Sequence, residues 1–270
     1  MKRILILFIS LVFSCNTGEL EVIFDMPLSL KEVSAVEKID ASPLFWVLED
    51  AGNGPSVYGI DKSGEIKKKI TITNGSNKDW EDLASDSKGN LYIGDFGNNS
   101  RNRTTYTIYK ISNVNRSPSE VSAGKIEFNL PEEEKQRDFE GFFLMKNQFY
   151  ILSKDTGKFQ IYIVPNAEGK HTASLLTEYN LDGKHNAITS ADISEDGKTV
   201  VLLTHIKLWK LTGFKSDNFV SGNVEAINFY HSSQKEGICF ISPTEVAITD
   251  EDTGLGSNLY RINLEKGHKD

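Results

Sequence analysis

An aromatic residue inside a short apolar segment returns five times along this chain at nearly constant spacing. It is Tyr58 in S-V-Y-G-I, Tyr109 in T-I-Y-K-I, Tyr162 in Q-I-Y-I-V, Trp209 in K-L-W-K-L and Tyr260 in N-L-Y-R-I. The intervals are 51, 53, 47 and 51 residues, close to the length of one four-stranded propeller blade. A second apolar segment precedes each copy: L-F-W-V-L-E-D from Leu44, N-L-Y-I-G-D from Asn90, Q-F-Y-I-L-S-K-D from Gln148, T-V-V-L-L-T-H from Thr199 and E-V-A-I-T-D from Glu245. Four of the five then read Asp-x-Gly, beginning at Asp50, Asp95, Asp155 and Asp252, which fits a turn between antiparallel strands. The fourth copy has only Thr204 and His205.

Further upstream lies an opening motif: V-S-A-V at Val33, W-E-D-L at Trp80, F-E-G-F at Phe139, T-S-A-D-I at Thr189 and K-E-G-I at Lys235. Its register puts Ser34, Glu81, Glu140, Ser190 and Glu236 at one repeat position, each followed by Ala, Asp or Gly. A fourth strand follows four of the units, from Ile66, Gly124, Ser174 and Asn223. The fifth is expected from the other end of the chain, where Leu20 to Leu28 has the same alternation and precedes the first opening motif. The reading is an all-β, five-bladed β-propeller in which that N-terminal strand joins the last blade and closes the ring, removing exposed sheet edges. No segment keeps apolar residues at 3.6 spacing for three turns, so a helix-rich fold does not fit. Asn113 to Gly124 reads as a polar loop inserted before the last strand of blade 2.

Lys2 and Arg3 precede an apolar run, Ile4 to Phe13, that is far shorter than the ~20 residues a bilayer span needs. This is the layout of a secretory signal. The run ends at Val12-Phe13-Ser14-Cys15, which resembles the lipobox of bacterial lipoproteins. The expected organisation is a signal peptide over 1–14, a lipidated Cys15 with a tether to 19, and one propeller domain over 20–270. Asn16 after the cysteine is not an inner-membrane retention signal, so the envelope location expected is the outer membrane, with the membrane as partner through the lipid. Without Lys2 and Arg3 the chain has 28 basic and 38 acidic residues, a formal charge of −10. That acidity excludes nucleic acid as a partner. With Cys15 lipidated, Cys239 stands alone and no intramolecular disulfide is expected.

E-V-S-A-V at Glu32, the strand ending L-E-D, S-V-Y-G-I-D-K-S-G-E-I-K-K-K-I, D-W-E-D-L-A and D-F-E-G-F-F together resemble the SdiA-regulated family of exported bacterial β-propellers. The likeness is clearest from Glu32 to Leu152. Ala35 and Asp82 stand where that family more often has glycine. The resemblance implies the propeller and an envelope location, and no activity. At the level of the glutamate motif alone the chain is also similar to calcium-dependent, gluconolactonase-like propellers, in which a glutamate of this kind ligates the metal at the channel mouth.

In a propeller the first strand of each blade lines the channel, and the loop leading into it opens on the same face as the loop after the second strand. Glu81, Glu140 and Glu236 with Asp50, Asp95, Asp155 and Asp252 are therefore expected around one mouth. Like charges at close range raise one another's pKa or attract a cation, and such hard oxygen ligands suit Ca²⁺. The same acids at strand ends also accept backbone amides of neighbouring blades, so a structural role stays open beside a metal site. His205 is a candidate general base at that face, and Arg101 and Arg103 are candidates for an anionic ligand. The other histidines have no metal-ligand spacing, and nucleophile-elbow, phosphate-loop and paired-cysteine motifs are absent from the sequence. The function expected is binding of an envelope ligand or protein at the channel mouth. A calcium-dependent lactonase or phosphoesterase and a purely structural envelope protein are the alternatives.

Overall fold

The protein is described here by a computed structural model covering residues 17–40, 42–181, 183–254 and 256–266. The signal segment and Cys15 lie outside the described residues. In chain order, β1 (Glu21–Asp25) is followed by β2 (Val33–Lys38), β3 (Phe45–Glu49), β4 (Ser56–Ile60) and β5 (Ile66–Ile72), the last four forming blade 1. Blade 2 holds β6 (Trp80–Ser85), β7 (Leu91–Asp95), β8 (Tyr106–Ile111) and, beyond the short β9 (Glu120–Val121), β10 (Gly124–Asn129). Blade 3 holds β11 (Phe139–Met145), β12 (Gln148–Ser153), β13 (Lys158–Pro165) and, beyond β14 (Gly169–Thr172), β15 (Ser174–Asn180). Blade 4 is β16 (Ser190–Ile193), β17 (Thr199–Leu203), β18 (Lys207–Thr212) and β19 (Asn223–Asn228). Blade 5 is β20 (Lys235–Ser242), β21 (Glu245–Asp250) and β22 (Asn258–Asn263).

The outer strand of blade 5 is β1, antiparallel to β22 with Glu21 opposite Arg261 and Asp25 opposite Asn258. The first strands pack in a closed cycle, β2 on β6, β6 on β11, β11 on β16, β16 on β20 and β20 on β2. The result is a five-bladed β-propeller. Its apolar core is divided among the blade junctions, because each sheet buries both faces against its neighbours. Trp46, Trp80 and Tyr109 fill the junction of blades 1 and 2. Tyr106, Phe139 and Tyr162 fill that of blades 2 and 3, with Phe139 edge-on to Tyr162 at 5.7 Å. Trp209 lies between blades 3 and 4, and Tyr260 between blades 4 and 5. At the closing junction Phe24 of β1 meets Phe45 of blade 1 edge-on at 5.8 Å, and Cys239 is buried in the same cluster.

The segment expected as a plain loop, Asn113 to Gly124, contributes β9, which pairs in parallel with β5 of blade 1. Likewise β14, inside blade 3, pairs in parallel with β10 of blade 2. A polar insertion at an outer edge meets unpaired amides and carbonyls of the preceding blade, and pairing with them satisfies both.

Around the axis the inner strands approach closely. A Cβ on Gly141 would lie 2.9 Å from the backbone of Ser190, and one on Gly237 would lie 2.6 Å from the backbone nitrogen of Val36. This is why glycine follows the glutamate in blades 3 and 5. Blade 2 has Asp82 there instead, wholly buried. Its carboxylate accepts hydrogen bonds from the backbone N–H of Leu83 (2.9 Å), Phe142 (3.1 Å) and Ala191 (3.3 Å) and from the Ser190 hydroxyl (2.9 Å). Ser190 in turn accepts the Ile238 amide at 3.1 Å. One side chain of blade 2 thus ties blades 3 and 4, and through Ser190 blade 5.

Candidate functional site

Four blades interrupt the ladder between their first and second strands at the same place. Val33 pairs with Glu49 and Ala35 with Leu48, leaving Ser34 as the extra residue. Glu81, Glu140 and Glu236 are left out in the same way in blades 2, 3 and 5. Each repeated glutamate is therefore a β-bulge residue, which explains its recurrence: a bulge frees one residue from the pleat and re-aims its side chain. In blade 4 Ser190 pairs directly with Leu203.

The bulge residues open into a mouth pocket of about 180 Å³. Ser34, Glu81, Glu140 and Glu236 line it together with Asp50, Lys154 and Glu251. Glu32 and Gln234, two residues before the bulges of blades 1 and 5, also face it. Asp79 occupies the same position in blade 2, and Asp50, Asp79 and Glu81 bring a carboxylate oxygen each within 4.8 Å of one another. Gly97 makes this approach feasible, since a Cβ there would lie 2.0 Å from Glu81 Oε1 and 2.5 Å from Asp79 Cγ.

Of the seven carboxylates expected at the mouth, four reach it and three do not. Asp95 is wholly buried opposite Trp80 in the ladder and accepts the Arg103 guanidinium at 2.9 Å. Asp155 accepts Arg101 at 2.7 Å and the Ser153 hydroxyl at 2.6 Å. Asp252 accepts the amides of Gly254 (2.7 Å) and Gly256 (2.8 Å) within its own turn. The reason is register. The residue just past the second strand, whose amide donates to the carbonyl two before the bulge, is Asp50, Phe96, Lys154 and Glu251 in blades 1, 2, 3 and 5. Asp-x-Gly begins on that residue in blade 1, one earlier in blade 2 and one later in blades 3 and 5. A slip of one residue turns a side chain to the other face.

Arg101 and Arg103 are thus engaged by Asp155 and Asp95, and Arg103 also donates to the carbonyls of Asp95 and Thr105. His205 Nε2 stands 3.3 Å from Oε1 of Glu236, which lines the pocket. Residues missed by the sequence reading are Asp79, Lys154, Glu251 and Glu32. For Asp79 a signal was present, since it stands two residues before Glu81, as Glu32 and Gln234 stand two before Ser34 and Glu236.

Burial pushes the Glu81 carboxyl well above the ordinary range, helped by Glu140, Asp50 and Asp79. Burial likewise lifts Glu140 to about 8, against the pull of the Lys154 ammonium 2.8 Å away. Asp79 is raised to about 6 by burial and by Asp50 and Asp138. Crowded, desolvated carboxyls of this kind favour a nearby positive charge, and Lys154 supplies one to Glu140. At the other end of the channel a cavity of about 700 Å³ has Glu37 and Asp192 in its wall. Asp192 is occupied there by the amides of Ile193 and Phe240, both at 2.7 Å.

No family model and no characterised protein matches the sequence. Solved structures do match the fold. A gluconolactonase from Xanthomonas campestris is similar with a TM-score of 0.52 and 8% identity, over 92% of this chain and 91% of the other. The PQQ-bound aldose sugar dehydrogenase of Streptomyces coelicolor gives 0.51 and 8%, over 91% and 98%. A chain of a nidogen/laminin complex gives 0.51 and 9%, over 83% and 74%. At such identities the likeness is one of propeller architecture, and it spans enzymes and a binding protein alike.

Proposed function

We propose that the channel mouth is a divalent-cation site, and that the protein is an envelope propeller using that cation to hold a small, oxygen-rich ligand. The observation that carries this reading is the convergence of Asp50, Asp79 and Glu81 within 4.8 Å, with Asp50 and Glu81 lining the mouth pocket. Three carboxylates supply hard oxygen donors of the kind Ca²⁺ takes, with room for ligand oxygens to complete its six to eight. Glu140 and Glu236 fit less well as direct ligands, because Lys154 and His205 already stand beside them. When bound, the ion supplies charge and Lewis acidity at the pocket floor.

A second reading, a calcium-dependent hydrolase of a lactone or phosphoester, is favoured by one observation. Glu140, raised to about 8, lines the same pocket as Asp50 and Glu81, as a group able to carry a proton near neutral pH. The gluconolactonase fold neighbour agrees with this reading. We place the chain with the SdiA-regulated propellers on its motifs, and propose that Cys15 carries the lipid that holds it at the outer membrane. Cys15→Ala should move the protein from the membrane to the soluble fraction; unchanged retention rejects the anchor.

Thermal melts in chelator and in millimolar Ca²⁺ test the cation site, since a ligand of the folded state alone raises Tm by mass action. Wild type should gain several degrees and Asp79→Asn should lose that gain. No shift in wild type returns the acids to a structural role. Lactone hydrolysis that requires Ca²⁺ and is lost in Glu140→Gln would establish the second reading.

A further inference from the structure

Blade 3 places a cation where blades 1 and 5 place acids. The residue just past the second strand is Asp50 in blade 1, Glu251 in blade 5 and Lys154 in blade 3, and all three line the mouth pocket. Lys154 Nζ stands 2.8 Å from Glu140 Oε1, with the carboxylate side chain only 3% exposed and the lysine side chain 28%. Its charge also acts on Glu236, Glu81 and Asp50. Burial alone would lower the Lys154 pKa, but Glu140, Glu236 and Glu81 outweigh it and hold the ammonium above its ordinary value. The ring of acids therefore carries one fixed positive charge attached to its own frame.

We propose that Lys154 is a tethered counter-cation, which occupies the Glu140 side of the mouth and competes with a free divalent ion for the carboxylate ring. This rests on the cation-site reading. A lysine ammonium is a compact point charge with three donors on a flexible stem, suited to stand in for an ion among carboxylates. While it is in place, a divalent ion at Asp50, Asp79 and Glu81 meets a positive charge across a small pocket and is denied the Glu140 oxygens. Taking the ammonium away removes the repulsion and supplies a fourth carboxylate to an ion that seeks six to eight oxygens. Lys154 thus sets how tightly, and with what selectivity against monovalent ions, the mouth holds a metal.

The experiment is calorimetric titration of Ca²⁺ into chelator-stripped wild type, Lys154→Met and Lys154→Arg at fixed ionic strength, with melts of each in chelator and in Ca²⁺. Lys154→Met should bind Ca²⁺ at least about tenfold more tightly than wild type, and should be less stable than wild type in chelator yet rescued by Ca²⁺. Lys154→Arg keeps the charge and should stay within about threefold of wild type. Equal or weaker binding by Lys154→Met overturns the proposal, as does a rise in Lys154→Arg matching that of Lys154→Met. If Lys154→Met folds only with Ca²⁺ present, the competition is shown by that dependence, and Lys154→Arg still tests the role of charge. Binding by Lys154→Met with none by wild type supports the counter-cation and rejects a metal site in the native protein. Absence of binding in every variant rejects both.

Discussion

Asp82 shows how much one residue carries in a ring. Its carboxylate is buried without a countercharge, which pushes its pKa well up, and four donors from blades 2, 3 and 4 converge on it. Alanine there would strand the Phe142 and Ala191 amides and the Ser190 hydroxyl in a dry interior. Asp82→Ala should cost about 3 kcal/mol, read as a lower urea midpoint at unchanged m-value, because unpaired buried donors are penalised more than a lost bond. A loss under about 1 kcal/mol would mean that the inner strands close up without it. The sequence showed Asp82 only as a departure from glycine in a motif. Its role needed the packing of neighbouring inner strands, as Gly141 and Gly237 did.

At the scale of elements, alternation and spacing made the strands legible, while their pairing partners were less so. The β1 strand is short, yet its Phe24, and Met26 just after it, are buried against blade 1, and it lies beside β22. A chain starting at Ser29 loses both side chains, each worth about 1.5–3 kcal/mol of burial, and exposes the β22 edge. It should melt at least about 6 °C lower or aggregate in size-exclusion chromatography. Melting like the intact domain would show that blade 5 does not depend on β1. The bulges are a different matter. Nothing in W-E-D-L or K-E-G-I announces an unpaired residue, yet the bulge is what turns Glu81 and Glu236 toward the channel.

Across the whole molecule, the acids of the mouth couple stability to pH. Burial raises Glu140 from 4.5 to about 8 and Asp79 from 3.8 to about 6. The folded state therefore binds protons at these two acids that the unfolded chain has released, so their contribution to stability is full below about pH 4 and declines as pH rises through the raised values of 6 to 8. In chelator, Tm should fall by roughly 3 °C or more between pH 5 and 8.5, corresponding to about 1 kcal/mol or more, and Glu140→Gln should flatten the slope. A Tm that rises over that window would contradict protonated acids at the mouth. Ca²⁺ should oppose the decline most strongly at the alkaline end, where the carboxylates are free to bind it.

The sequence by itself determined the blade count, the strand order within blades and the repeat position of Ser34, Glu81, Glu140 and Glu236. These follow from local periodicity, turn residues and a period near 50, all of them properties of neighbours along the chain. Only the tertiary structure decided which acids share the mouth. Asp50, Asp95, Asp155 and Asp252 look alike as Asp-x-Gly, but a one-residue difference in where each second strand ends sends Asp95 into a buried ion pair and Asp155 to Arg101. The same register puts Lys154 among the carboxylates and brings Asp79 to Glu81. Spacing fixes what repeats; which face a side chain takes is settled by bulges and strand ends, and those depend on the strand paired alongside.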